Sequence, residues 1–588
     1  MSLETLTDIF SAVTSRQEPQ LFLARFGTEW RPISSQQFSS NVRCLMKALK
    51  TFGISQGDRI AILSENRNEW VAADFACLLL GAVVVPIYTT LTAEQTAYLL
   101  RDSGARVAFV SSSKHLEKVL SILGSTPVEK VVVMDEVPTE RAVTMSRLIQ
   151  SVGEREFHRQ DCKVHANDIA TIIYTSGTTG VPKGVVLTHG NMASNIRFFL
   201  QDFGFRAGMC SISFLPLSHI TARTVDLALI YSGLTLAHLP QLDGLPQALL
   251  EIRPHILLAV PRVYEKIRTQ VELGARGFPK KQIYAWALGT GKRHRAEILA
   301  GKPPGSVIWK LANRSVYAKV RQGLGGRVEE FISGGAPLGR PLAEWYADVG
   351  IRIYEGYGLT ETSPVVAVNT PRAHRVGSVG KPLSNIDVRI AEDGEILVRG
   401  PSVFQGYWNL PEETRGAFCD GWFKTGDIGN VDADGFLYVT DRKKDLLKTS
   451  GGKFIAPQPI ETLLKQYPLI LEAVVVGDKR KFPAVLLFPN FAALEQWAGE
   501  NNVNFQSRPE LLQLPQVRAQ YEAIVFQVNE SLARFEKLKQ FSLLAEELSA
   551  ANGTLTASLK IRRRAIEQRF QLQIEEMYAQ AQAPGDLQ

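Results

Sequence analysis

Cysteine is scarce in this chain. Five occur in 588 residues, Cys44, Cys77, Cys162, Cys210 and Cys419, and none form a C-x-x-C pair. Such scatter excludes a disulfide framework and fits free thiols in a reducing compartment, so a cytoplasmic location is expected. Long hydrophobic runs are missing too. The most apolar stretch, Phe75 to Tyr88, falls short of the roughly 20 residues that span a bilayer and is cut by Gly81 and Pro86, so it reads as a helix entering a buried strand. Neither sign of charge dominates: 66 basic residues face 59 acidic ones, for a net +7. That excess suits anionic nucleotides or an acidic membrane surface and is too small for a nucleic-acid-binding protein. The opening residues, Met1 to Thr5, lack a basic segment followed by an apolar one, and a secretory signal is not expected. No repeat or low-complexity tract occurs, and Ala579 to Gln588 reads as a frayed tail.

The length predicts at least two domains. Through the first two-thirds, short apolar strand candidates alternate with helical stretches: Arg59 to Leu63, Val107 to Val110, Val131 to Met134 and Ile256 to Val260. This is the pattern of layered α/β units. From about Asn385 the texture changes to short strands and turns, with Asp393-Gly394 and Asp434-Gly435 as hairpin signals. A charged run, Asp441 to Asp445, interrupts them, and a new alternation of helix and strand follows Pro457, so the main boundary is placed near residue 440. Tyr264 to Val328 reads as a mostly helical, basic excursion.

What the chain does have is a hydroxyl- and glycine-rich loop between two β-branched runs: Thr175, Ser176, Gly177, Thr178, Thr179, Gly180, Val181, Pro182, Lys183, Gly184. Its glycines free backbone N–H groups to turn toward an anion, its hydroxyls add donors, and Lys183 adds a cation. A Walker A loop would run from its lysine straight into a helix, whereas here Gly184 and a strand follow. The alternatives left are a phosphate cradle and an ordinary glycine-rich turn.

A second cluster, Tyr354, Glu355, Gly356, Tyr357, Gly358, Leu359, Thr360 and Glu361, follows the strand candidate Ile351 to Tyr354. Glycines beside an aromatic ring admit a flat base, Thr360 can meet a phosphate, and Glu361 is a hard oxygen ligand for Mg²⁺; the bland alternative is a helix start with a structural glutamate. Upstream, Gly334, Gly335, Ala336 and Pro337 form a glycine turn where bare backbone would line an adenine or a carboxylate. Downstream, Thr425-Gly426-Asp427 sets a carboxylate beside a turn, suited to two ribose hydroxyls. Near the carboxyl end, Lys560 opens a basic run, Lys560 to Arg564, which is either a helix face or a cation delivered to developing charge from a mobile domain.

In order and spacing these motifs resemble the adenylate-forming superfamily of acyl-CoA synthetases, luciferases and peptide-synthetase adenylation domains, over nearly the whole chain. The resemblance implies an α/β fold: a large N-terminal domain (1–440) of two layered α/β lobes plus a small β-barrel, binding AMP and the acyl group, and a small mobile α+β C-terminal domain (441–588). It implies that a carboxylate attacks MgATP to give an acyl-adenylate, which a thiol then cleaves. By position Lys560 matches the adenylation lysine, Asp427 the ribose ligand and Arg442 an arginine on the nucleotide. Lys444 holds the hinge position, Gly451 and Gly452 line the pantetheine channel, and Thr175 and Glu361 flank the magnesium.

Phe214 to Ile220, Val260 to Ile267, the helical insertion after it and the Leu-Thr-x-x-Leu-Lys ending at Lys560 resemble the long-chain fatty acyl-CoA synthetases. The expected substrates are therefore a fatty acid, ATP and coenzyme A, with peripheral membrane contact anticipated. Thr221-Ala222-Arg223 departs from that branch, which often carries an aromatic and an acidic residue before the arginine. His219 would lie near the acyl carboxylate or serve as a structural cap. Tyr231-Ser232-Gly233 is expected to wall the acyl tunnel, its glycine leaving space. A carrier-protein acceptor and a catalytically silent lipid or nucleotide sensor stand as alternatives. Oligomeric state is not readable.

Overall fold

A computed structural model describes residues 3–152, 163–176, 181–450, 453–549, 552–556 and 561–580. Two large sheets dominate the N-terminal domain. One has nine strands, ordered Lys381–Pro382, Val365–Val368, Ile353–Gly358, Glu330–Ser333, Ile256–Ala259, Cys210–Ser213, Thr235–His238, Phe22–Phe26 and Glu29–Ile33. The other has eight, ordered Gly406–Tyr407, Pro182–Thr188, Ile169–Ser176, Val83–Ile87, Arg59–Leu63, Val107–Val110, Lys130–Val133 and Val143–Thr144. Their central strands are parallel and buried along their length, which is why they read as unbroken Val/Ile/Leu runs.

Helices Ser35–Thr51, Asn68–Leu80, His189–Leu200 and Ile220–Tyr231 share one core with residues of both sheets, such as Phe22 and Ile62, and so fill the space between the sheets. Where two helices meet there, Arg223 pairs with Asp74, each side chain 1% exposed. Arg223 also donates to Thr171 Oγ1 at 2.9 Å and lies over the Trp70 ring. The arginine of the unusual Thr221-Ala222-Arg223 is thus a buried structural ion. Removing either partner would strand the other charge, at a cost of about 3–5 kcal/mol.

The β-rich unit is a five-stranded antiparallel sheet of Asp387–Ile390, Glu395–Arg399, Trp422–Val431, Phe418–Cys419 and Leu437–Arg442. Both Asp-Gly pairs sit in its hairpin turns as expected. Beyond it, the strands Ile470–Val476, Ala484–Pro489 and Phe541–Leu543 form a separate sheet with its own cores, built from residues 447 onward.

Three expectations shift. Thr425-Gly426-Asp427 is not a turn but the middle of strand Trp422–Val431, where Gly426 takes φ +70° without ending the strand. Ala579 and Gln580 belong to helix Gln571–Gln580 rather than to a tail. The space beside Gly233 is not free for an acyl chain: a Cβ there would lie 2.8 Å from Glu18 Oε1, and Arg16 caps the helix end by donating to Tyr231 O.

Candidate active site

The end of strand Ile353–Gly358 in the nine-stranded sheet meets the middle of Trp422–Val431 in the five-stranded one. Tyr357 reaches across, and its hydroxyl donates to Asp427 Oδ2 at 2.6 Å. Arg442, paired with Asp427 in the ladder, sets its Nε 2.9 Å from the other oxygen, Oδ1. Asp427, 3% exposed, is held from both sides. Burial, with the Asp427 charge adding to it, pushes the Tyr357 phenol well above its ordinary range, so it stays a donor.

After Gly358 the chain turns sharply. A Cβ on Gly358 would fall 1.9 Å from Pro364 O, so this position admits only glycine. Thr360–Thr362 then form one 3₁₀ turn rather than the start of a longer helix. Tyr407 donates to Glu361 Oε1 at 3.0 Å, and Phe404 N–H donates to the Glu361 carbonyl at 2.8 Å. Burial lifts the Glu361 carboxyl above its usual range. Half-buried, this carboxylate is a hard oxygen donor of the kind Mg²⁺ takes, an ion that needs only one or two protein carboxylates. Among the described residues no group of three or more His, Cys, Asp or Glu side chains is placed to hold a metal ion.

Lys183 stands on Pro182–Thr188, opposite Thr175 in the hairpin, pairs with Glu413 and lies 5.4 Å from the Tyr407 ring. Gly334 and Gly356 face each other, since a Cβ on Gly334 would meet Gly356 O at 3.7 Å. Gly335 takes φ +83°, and the Ser333 hydroxyl beneath the turn is buried with no hydrogen bond. The geometry therefore brings together Gly334, Gly335, Gly356, Tyr357, Asp427 and Arg442 in one group, and Glu361 with Lys183, through Tyr407, in another.

His219 is the N-cap of helix Ile220–Tyr231, its Nδ1 accepting from Thr221 N–H at 3.2 Å. That helix touches the Glu361 turn through Thr224 Oγ1, which donates to Ser363 O at 3.5 Å. Gly177, Thr178, Thr179, Gly180, Gly451, Gly452 and Lys560 lie outside the described residues. Arg563 does not open a solvated helix face: it donates to Glu461 Oε1 and Val475 O at 2.7 Å each. Lys443 binds Asp393 and Glu395 of the five-stranded sheet, leaving Lys444 exposed in the short turn Lys443–Asp445.

Three residues that hold the site were assigned no role from the sequence. Asn195, fully buried, donates to Thr362 O and Val365 O and accepts from Val365 N–H, fixing the corner behind Glu361. Asn191, one turn earlier, donates to Pro401 O and Val403 O. Their i, i+4 spacing on a buried helix face was the available signal. Glu355 accepts from Leu338 N–H at 2.8 Å and so pins the glycine turn; burial pushes its carboxyl up to about 7.

Residues 11–408 match the AMP-binding enzyme family, and residues 444–582 match the AMP-binding enzyme C-terminal domain. The chain belongs to the AMP-binding enzymes. Among relatives of this AMP-binding enzyme, the long-chain-fatty-acid--CoA ligase FadD15 of Mycobacterium bovis is 38% identical over 93% of this chain and 92% of its own length. The human long-chain-fatty-acid--CoA ligase ACSBG2 is 30% identical over 94% and 89%. In fold, this AMP-binding enzyme is similar to the anthranilate CoA ligase AuaEII in complex with anthranoyl-AMP, with a TM-score of 0.75, 22% identity and 98% of each chain covered. It is also similar to a Mycobacterium tuberculosis fatty acyl CoA synthetase, with a TM-score of 0.64, 23% identity and 97% and 99% coverage.

Proposed function

We propose that this enzyme activates a long-chain fatty acid with ATP and transfers it to coenzyme A. The fatty acid carboxylate attacks the α-phosphorus, pyrophosphate leaves, and an acyl-adenylate forms; the CoA sulfur then attacks the acyl carbonyl and AMP leaves. The observation that carries the reading is the Tyr357–Asp427–Arg442 group beside the adjoining glycines Gly334 and Gly356. A carboxylate held by a phenol and a guanidinium is preorganised to accept two ribose hydroxyls, and the bare backbone of neighbouring glycines lets a flat base approach closely.

In this reading Ser176 and Lys183, with the adjoining loop, hold the outer phosphates. Thr360 meets the α-phosphate. Glu361, with Thr175 nearby, holds Mg²⁺, which when bound neutralises phosphate charge. His219 sits at the acyl carboxylate. Lys560 comes from the C-terminal domain to meet the developing negative charge, and the division of the chain falls near residue 440 with Lys444 as the pivot. Gly451 and Gly452 line the path of the CoA arm. Location is read as cytoplasmic; among the described residues no helix is long and apolar enough to cross a membrane.

The test is a mass-spectrometric product assay with MgATP, CoA and acids from acetate through octanoate and palmitate to benzoate. Palmitoyl-CoA and AMP as dominant products support the reading. Acyl-adenylate without thioester would move the acceptor to a carrier protein, and no turnover at all would leave a sensor.

A further inference from the structure

Charge is distributed very unevenly along this chain. Between residues 273 and 328 there are twelve lysines and arginines and a single acid, Glu297, so this one excursion more than accounts for the net +7 of the whole protein. The segment folds as helices Lys280–Leu299, Val307–Ala312 and Ala318–Gly323, standing outside both large sheets. Some of its cations are structural: Arg295 is bound by Asp348 and Glu344, and Arg321 by Asn313 and Val349 O. Lys280, Lys281, Lys302, Lys310 and Arg314 are exposed.

The same segment carries apolar side chains that the fold leaves in water. Phe278 is 83% exposed just before the first helix, and Ile283 and Trp286 follow on its opening turns. Val307 is 80% exposed and Leu311 59%, and with Ile308 they share one face of the short helix Val307–Ala312. Each apolar cluster is thus flanked by exposed cations, Lys280 and Lys281 at one and Lys302, Lys310 and Arg314 at the other.

We propose that this excursion is a docking surface for an anionic lipid bilayer, with both clusters entering the headgroup region and the lysines and arginines meeting lipid phosphates. Charge complementarity selects this occupant. Two copies meeting through the face would set one dense array of cations against another, which electrostatics opposes. Val307, Ile308 and Leu311 have nothing to offer a nucleic-acid backbone, whereas apolar insertion combined with a basic rim is the composition that holds a peripheral protein on acidic lipid. The proposal leans on the ligase reading only for its purpose, which is collecting acyl chains where they partition. Vesicle binding and ligation are read separately, so either can fail without the other.

The experiment is co-sedimentation of the full-length protein with vesicles of phosphatidylcholine alone and with about 30% phosphatidylglycerol. Partition should be about tenfold stronger onto the anionic vesicles and should fall with added salt. I308E/L311E and, separately, F278S/W286S should each lower it about tenfold, while ligation of soluble octanoate stays at the wild-type rate. K280E/K281E should abolish the preference for anionic lipid. Equal partition onto both vesicle types, or variants that bind like wild type, would overturn the proposal. So would self-association in solution that the same variants disperse, or binding to duplex DNA that survives them.

Discussion

The Tyr357 hydroxyl and the Asp427 carboxylate meet at 2.6 Å, and this contact joins the nine-stranded sheet to the five-stranded one. It also leaves Asp427 oriented, with Arg442 on its other oxygen. Tyr357→Phe should raise the KM for ATP about tenfold, the scale of one hydrogen bond to a charged group, with a smaller change in kcat. Steady-state kinetics with varied ATP decide this. An unchanged KM would detach Asp427 from nucleotide binding.

Lys560→Ala should abolish adenylate formation from acid and ATP, by about 10²–10³-fold or more, while largely sparing thiolysis of supplied acyl-adenylate. ATP–pyrophosphate exchange and a thiolysis assay separate the two steps. Equal loss of both would end the assignment of this lysine to one half-reaction.

Glu361→Ala should raise the Mg²⁺ concentration required for half-maximal rate about tenfold, because it removes the one protein carboxylate proposed to hold the ion. Titrating the rate against Mg²⁺ at fixed ATP measures this. A variant with wild-type magnesium dependence removes Glu361 from the metal.

Glu355 holds its proton up to about pH 7 in the folded protein, against an ordinary value of 4.5. Between those two values the folded chain is protonated there and the unfolded chain is not, so this group makes stability fall as pH rises through the window. Glu355→Gln keeps an acceptor for Leu338 N–H and removes that slope. By pH 8 it should be more stable than wild type by about 1–3 kcal/mol, with little difference at pH 4. Urea unfolding at the two pH values provides the comparison, and parallel pH profiles would show that Glu355 ionises freely.

The parallel strands were legible because burial on both faces leaves β-branched runs with clear ends: Arg59–Leu63 and Val107–Val110 fall where the sequence puts them. Ends set by pairing were less legible, as at Lys130–Val133, one residue earlier than expected, because register with Val107–Val110 sets the limit. Gly426 looked like a turn because glycine punctuates loops more often than strands, yet here the ladder to Leu437–Arg442 carries the strand past it. The Gly334 and Gly356 turns, Glu361 and Asp427 were visible as residue types suited to a nucleotide. Asn195 and Glu355 were not, because their partners are backbone groups far along the chain, and that closure exists only once the helices pack.

Arg563 is fastened to Glu461 and Val475 at the heart of the small domain. It lies three positions beyond Lys560, a tether of at most about 10 Å when fully stretched. In the proposed mechanism the reach of the lysine is therefore measured from that anchor. On that proposal its availability is a question of address, decided by where the small domain stands. A distance label on Arg564, read against one on Cys419, would follow that address in solution without perturbing the lysine itself.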